Sequence, residues 1–224
     1  MHIRPRRSVL YMPGSNARAL EKAKSLPADA LILDLEDAVA PDAKETARNQ
    51  VCAAVKAGGY GRRELIIRIN ALDTPWGKAD LDAAVAAAPD AILLPKPGSG
   101  ADIVRATEAL ARGPEKTRLW AMVETPLAIL NLQDLASASR QPGARLACFV
   151  MGTNDLVKET RADLSGSRRP ALYWLSATIT AARAYGLDVL DGVYNNFKDT
   201  DGFRRECVHG RALGFDGKTL IHPD

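Results

Sequence analysis

The sequence predicts an α/β protein, and within that class a parallel TIM (β/α)8 barrel. Three observations carry this reading. Eight short apolar runs recur along the 224 residues. A helix-periodic segment separates each run from the next, and no hairpin signal joins two of them directly. Continuous apolar strands covered by helices imply a parallel sheet, and eight βα units most simply close into a barrel. A doubly wound open sheet is the alternative, but no GxGxxG follows the first strand, so a dinucleotide site is not supported. No linker or low-complexity segment divides the chain, and a single domain over residues 1–224 is expected.

The elements follow in order. SVLYM (8–12) is a β-rich run closed by Pro13-Gly14-Ser15, and NARALEKAKSL (16–26) has helical periodicity with Ser15 or Asn16 as cap. ALILDL (30–35) is the second strand. Pro41 and Asp42 open a helix that Gly58-Gly59 closes. ELIIRIN (64–70) is the third strand, and the helix after it ends at Pro89. AILLPK (91–96) is the fourth, followed by a helix with a glycine stop. RLWAMVET (118–125) is the fifth and runs directly into the helical PLAILNLQDLASAS. RLACFVMG (145–152) is the sixth, followed by TNDLVKE and the long helical RPALYWLSATITAARAYG. LDVLDGV (187–193) is the seventh, TDGFRRECVHGRALGF a helix, and DGKTLIHP (216–223) the eighth. The chain stops there, so the barrel is expected to lack its last helix and a C-terminal segment.

Bulk composition narrows the function. Hydrophobic residues make up 46%, enough for a sizeable core. Thirty basic residues against 27 acidic ones give a net charge of +3, too weak a bias for nucleic acid yet compatible with a small anion. Cys52, Cys148 and Cys207 are far apart, with no CxxC pair, so buried thiols are expected rather than zinc or disulfides. The N-terminal apolar run is too short for a signal peptide, and no stretch approaches the ~20 apolar residues of a membrane span. A soluble cytoplasmic protein is expected.

In a barrel of this type chemistry sits at the C-terminal ends of the strands. Those ends carry Pro13-Gly14-Ser15; Asp34, Glu36 and Asp37; Arg68 and Asn70; Pro95 and Lys96; Glu124 and Thr125; Gly152, Asn154 and Asp155; Asp191; and Lys218 with His222. Glu124 and Asp155 end adjacent strands, about 5 Å apart laterally. Two carboxylates so close repel unless a cation lies between them, and Mg²⁺ uses one or two carboxylates and leaves its other positions to water and substrate. Arg68 among Ile and Leu residues cannot face the helices uncompensated, so it points into the barrel mouth and meets an anion. That anion is a structural partner, Asp34 or Glu36, or a substrate carboxylate or oxyanion, and both can hold. If the strand continues, Asp34 and Glu36 share a face. Glu36 and Asp37 are then partners of Arg68 and of metal-bound water, or general bases. Ser15, the backbone N–H groups and Arg18 form a potential anion pocket at a helix start. Lys96 reaches a phosphate or is solvated. His2, His209 and His222 do not cluster, and no HExxH pattern suggests zinc.

The motifs RSVLYMPGSNAR, LDLEDAV, IIRIN, LLPKP, ETPLAILNL, MGTNDL and GKTLIHP occur in this order over nearly the whole chain. Together they resemble the HpcH/HpaI aldolase and citrate lyase β-subunit family, and within it the stand-alone, CitE-like CoA-ester lyases. The resemblance implies a TIM barrel using Mg²⁺, with Glu124 and Asp155 as metal ligands. Arg68 would meet the oxygen of a 2-oxo acid or of the thioester enolate. Pro13, Gly14, Ser15, Arg18 and Lys96 would lie near the CoA arm, with Gly152 and Thr153 of MGTNDL lining the substrate site. It further implies cleavage or formation of a C–C bond between an acyl-CoA and a 2-oxo acid, with malyl-, citramalyl-, methylmalyl- or citryl-CoA as substrate, and a homo-oligomer, trimeric or hexameric. Many members continue past IHP with a segment that brings an acid to a neighbouring subunit's site. Without it, Glu36 and Asp37 are the fallback acid/base candidates. The alternatives are a citrate lyase β-subunit acting on a carrier-protein thioester, a class II pyruvate aldolase, and a catalytically silent CoA-ester-binding subunit.

Overall fold

A computed structural model describes residues 4–224, so His2 lies outside the described residues. Eight parallel strands close into a barrel in chain order. They are β1 Ser8–Pro13, β2 Ala30–Asp34, β3 Glu64–Arg68, β4 Ala91–Leu94, β5 Arg118–Val123, β6 Leu146–Met151, β7 Asp188–Asp191 and β8 Gly217–Leu220. Closure comes from β8 against β1, with Ser8 beside Lys218 and Leu10 beside Leu220. The open-sheet alternative is thereby excluded. All strands after β1 stop short of the apolar runs that predict them, because the polar ends leave the ladder for the loops at the mouth. β3 ends at Arg68, whose neighbour on β4 is Leu93, one residue from the end of that strand.

The helices α1 Ala17–Ala23, α2 Lys44–Ala57, α3 Gly77–Ala87 and α4 Gly100–Leu110 follow the first four strands. α5 Pro126–Leu130, α6 Leu132–Ser137, α7 Thr153–Thr160, α8 Leu172–Tyr185 and α9 Thr200–Leu213 follow the next three. One helix expected over PLAILNLQDLASAS is two. Asn131 ends α5 and starts α6, and its side chain donates to the Gly98 carbonyl at 2.7 Å. That tertiary bond holds the break. Among the described residues, no helix is long and apolar enough to cross a membrane.

Strand side chains alternate between two cores. The outer core lies between barrel and helices and contains Leu31, Leu33, Ile67, Ile92, Val123 and Phe149. The inner core fills the barrel with Val9, Ile32, Ile66, Leu93, Trp120, Met122 and Val150. On β3 the inward positions read Glu64, Ile66, Arg68, so a charged residue stands at each end of an apolar plug. At the N-terminal end Arg6 donates to Glu64 Oε2 at 2.7 Å and Oε1 at 2.8 Å, pairs with Asp188, and lies 5.0 Å over the Trp120 ring. The plug is thus sealed below by a paired arginine, and polar chemistry is left to the opposite end.

Removing one partner of a buried pair leaves the other uncompensated. Arg6→Ala is expected to lower unfolding free energy by about 3–5 kcal/mol, measured as a lower urea midpoint at unchanged m-value.

Candidate active site

The mouth is organised from Asp34 outward. Asp34 ends β2, opposite Arg68 in the ladder. Arg68 donates to it through a fork, Nε to Oδ1 and Nη2 to Oδ2, both at 2.6 Å. The same carboxylate accepts the Glu36 N–H at 2.9 Å and the Ala38 N–H at 3.1 Å, folding the next residues into a turn. The strand therefore does not continue, and Asp34 and Glu36 do not share a strand face. Glu36 and Asp37 reach Arg68 from the turn, at 2.9 Å and 3.1 Å from Nη1. Glu36 Oε2 makes no hydrogen bond there; the contact is an ion pair out of line with the N–H directions. Burial drives the Glu36 carboxyl up to about 7, Arg68 opposing and the neighbouring acids Asp37 and Asp34 assisting. Burial works against the Arg68 charge, but Asp34 more than offsets it and the guanidinium stays ionised. Both readings of Arg68 survive: it is structurally paired, and it also lines the cavity of about 440 Å³ at the mouth.

Glu124, one residue past β5, is fully buried. Its Oε1 accepts the Lys96 N–H at 2.9 Å, while Oε2 has no partner. Lys96 adopts φ 51°, a left-handed conformation strained for a residue with a side chain, and this aims its N–H at Glu124. The Lys96 ammonium lies 3.8 Å from Asp155 Oδ1. One residue therefore touches both acids. Gly152 completes the cradle: a Cβ there would collide with Glu124 Cβ and come within 2.7 Å of Oε2. Burial pushes the Glu124 carboxyl up to about 8, with repulsion from Glu36 and Asp155 adding to it. A buried, half-satisfied carboxylate with a second acid on the first turn of α7 suits a small hard cation that keeps water ligands. Among the described residues, no three His, Cys, Asp or Glu side chains form a metal-binding group.

Other candidates are placed less centrally. Pro13, Asp37, Gly152, Thr153 and Asp155 line the cavity with Arg68. Of the anion pocket expected at residues 13–18, one N–H is already spent. The Gly14 N–H is committed to the Asp34 carbonyl at 2.8 Å, and a side chain at Gly14 would strike that oxygen. Asn16, not Ser15, caps α1, and Ser15 and Arg18 are exposed outside the cavity. Asn70, two residues past β3, Asp191, at the end of β7, and Lys218, the second residue of β8, turn away from the mouth. Asn70 bonds the Leu35 carbonyl and Asp80, and Lys218 bonds Asp191, Glu206 and the Gly192 carbonyl. Thr125 caps α5, and His222 stacks on Phe197 at 4.3 Å. Cys52 and Cys148 are buried and Cys207 is half-buried, all as free thiols.

The residue that sequence reasoning missed is Tyr11. Inward on β1 beside Val9, it lines the cavity under Arg68, whose Cζ lies 5.0 Å from the ring centroid. Its hydroxyl donates only to the Met122 sulfur at 3.9 Å, and burial keeps it protonated. Its alternation with Val9 was the available signal, hidden by a run that reads as apolar throughout.

Known proteins share both sequence and fold with this chain. Residues 7–223 match the family model for HpcH/HpaI aldolase/citrate lyase. The chain is 49% identical over 219 residues to a (3S)-malyl-CoA thioesterase of Cereibacter sphaeroides (strain ATCC 17025 / ATH 2.4.3), covering 98% of this chain and 74% of that one. It is 39% identical to the citrate lyase subunit beta of Escherichia coli (strain K12), with the same coverages. Among solved structures, the citrate lyase beta subunit from M. tuberculosis complexed with oxaloacetate and magnesium superposes with a TM-score of 0.82 at 29% identity. That match covers 98% of this chain and 92% of the other.

Without a cation Glu124 is protonated through neutrality. Its raised value means that the stability of the neutral form is complete below 4.5 and is lost as pH rises through about 8. Metal-free protein is expected to lose thermal stability over that window, and Glu124→Gln to reduce the loss, leaving the part due to Glu36, which is raised to about 7. Below about pH 8 a bound cation must displace the proton, so Mg²⁺ affinity is expected to fall about tenfold per pH unit. Calorimetry at several pH values in one salt background checks both.

Proposed function

The chain belongs to the HpcH/HpaI aldolase/citrate lyase family, and from that premise we propose a Mg²⁺-dependent carbon–carbon lyase acting on a 3-hydroxy-3-carboxy acyl-CoA. The products are an acyl-CoA and a 2-oxo acid, and malyl-CoA is the first substrate to expect. The observation that carries the reading is the Glu124 cradle: a buried carboxylate oxygen with no partner, backed by Gly152, which lines the cavity with Asp155 and Arg68.

Glu124 and Asp155 would hold the ion. When bound, Mg²⁺ supplies Lewis-acid polarisation of the substrate's carboxylate and hydroxyl oxygens, making the hydroxyl proton easier to remove. The chain's own residues do the rest. The backbone N–H of Lys96 keeps Glu124 in place. Arg68, already oriented by the Asp34 fork, faces negative charge that develops on oxygen as the C–C bond breaks. The bond's electron pair passes to the thioester as an enolate, and the acyl-CoA forms when its α-carbon takes a proton. Glu36 and Asp37 stand beside Arg68 as the candidates for moving the hydroxyl proton. The barrel acts as one catalytic unit, and the exposed Leu127 and Leu130 of α5 support a homo-oligomeric assembly.

A second reading is favoured by one finding. The 49% identical relative is named a thioesterase, so hydrolysis of the malyl thioester to free CoA is a competing or additional activity. A citrate lyase β-type role on a carrier-protein thioester has a less similar relative behind it.

Purified protein is to be offered malyl-, citramalyl- and citryl-CoA with Mg²⁺ and with EDTA, with products followed by mass spectrometry. Mg²⁺-dependent release of a 2-oxo acid and an acyl-CoA is expected. Free malate and CoA would identify the thioesterase, and no turnover with CoA ester still bound would identify a silent binding subunit. Arg68→Lys, which cannot form the fork, is expected to lower kcat/KM by about 10²–10³. Full activity in that variant would sink the role given to Arg68.

A further inference from the structure

Lys44 breaks three local rules at once. It is 6% exposed, it starts α2 where the helix dipole disfavours a cation, and among the described residues it makes no salt bridge. Burial accordingly pulls its pKa below the ordinary lysine value, although Asp34, Glu36, Asp80 and Asp37 oppose this from a distance. What holds the ammonium is backbone. Nζ donates to the Leu35 carbonyl at 2.8 Å and to the Glu36 carbonyl at 2.6 Å, and it sits 5.4 Å from the centroid of the Trp76 ring. A second buried donor, Asn70 Nδ2, reaches the same Leu35 carbonyl at 2.9 Å and is itself held by Asp80, which also accepts from Arg48 Nε at 2.6 Å.

We infer that Lys44 is a positioning residue for the acid turn at the mouth, acting on reaction rate through the backbone of Leu35 and Glu36. Two carbonyls drawn onto one ammonium fix the peptide planes on both sides of Glu36. Those planes fix where Glu36 and Asp37 meet Arg68. From the other side of the turn, Asp34 accepts the Glu36 and Ala38 N–H groups. The turn is thus gripped by its carbonyls from behind and by its amides from the mouth. A neutral side chain of similar length would fill the space but release the Glu36 carbonyl and leave the Leu35 carbonyl to Asn70 alone. Nothing in the fold demands a charge at this point: the barrel ladder and both cores close without it. The catalytic part of this inference rests on the lyase reading, and the grip on the turn does not.

The test uses Lys44→Met in the full chain with two readouts. Hydrogen exchange at the Glu36 and Ala38 amides is expected to accelerate at least tenfold, with exchange in β1 to β8 unchanged. Under saturating Mg²⁺, kcat for the CoA thioester that the parent turns over is expected to fall about 10²-fold, with KM within threefold of the parent. Unchanged exchange in folded Lys44→Met overturns the inference, and so does faster exchange with unchanged kcat. If Lys44→Met does not fold, Trp76→Leu decides: it keeps the ammonium but removes its aromatic seat. Faster exchange at the same two amides with a several-fold lower kcat supports the inference, and no change in either overturns it. If the parent turns over none of the thioesters, the lyase reading fails, while exchange still decides whether Lys44 grips the turn.

Discussion

The rest of the site depends on the buried fork between Arg68 and Asp34. An arginine whose strand neighbours are isoleucines cannot stay charged inside a barrel without an anion at hydrogen-bond distance. Asp34 supplies that anion from the adjacent strand, in register, with both oxygens. The same two oxygens then accept two N–H groups of the following turn. One carboxylate thereby orients a cation toward the cavity and shapes the loop that brings two more acids beside it. Four groups are set by one interaction, and each is less mobile for it.

Across the mouth the logic is opposite. Glu124 is left half-satisfied, buried and close to other acids, and the protein maintains this with a strained Lys96 and a glycine at 152. Strain and an orphaned oxygen are unfavourable for folding alone. They make sense where a ligand restores the balance. The site thus has one element already paired, Arg68, and one buried behind Gly152 with an unpaired oxygen, Glu124.

The two ends of the barrel show how the cost is kept local. Below, Arg6 is matched by Glu64 and Asp188 and covered by Trp120. Behind strands β7 and β8, Arg168, Lys218, Asp191 and Glu206 form a balanced network. Each cluster pairs its cations with carboxylates of other elements and welds those elements together. At the mouth, by contrast, Glu124 keeps one buried oxygen without a hydrogen-bond partner.

Much of this was legible from sequence because period-two alternation and strand–helix alternation are local properties. Eight apolar runs separated by helices imply the barrel, and an arginine in LIIRIN or an acid directly after LWAMV must face the interior end. What lay outside sequence was set by non-local contact. The break at Asn131 needs Gly98, the commitment of the Gly14 N–H needs the Asp34 carbonyl, and the outward turn of Asn70 needs Asp80. Tyr11 takes its role from Arg68 and Met122, far along the chain, and Lys44 from carbonyls of the preceding turn that only the folded backbone brings to its ammonium. Sequence by itself determined the fold class, the order of the strands and the types of charge that follow them, because burial and alternation act residue by residue. Tertiary structure alone decided which of those charges are spent on one another and which remain free, because hydrogen-bond pairing depends on ångström-scale distances between segments that the chain order does not encode.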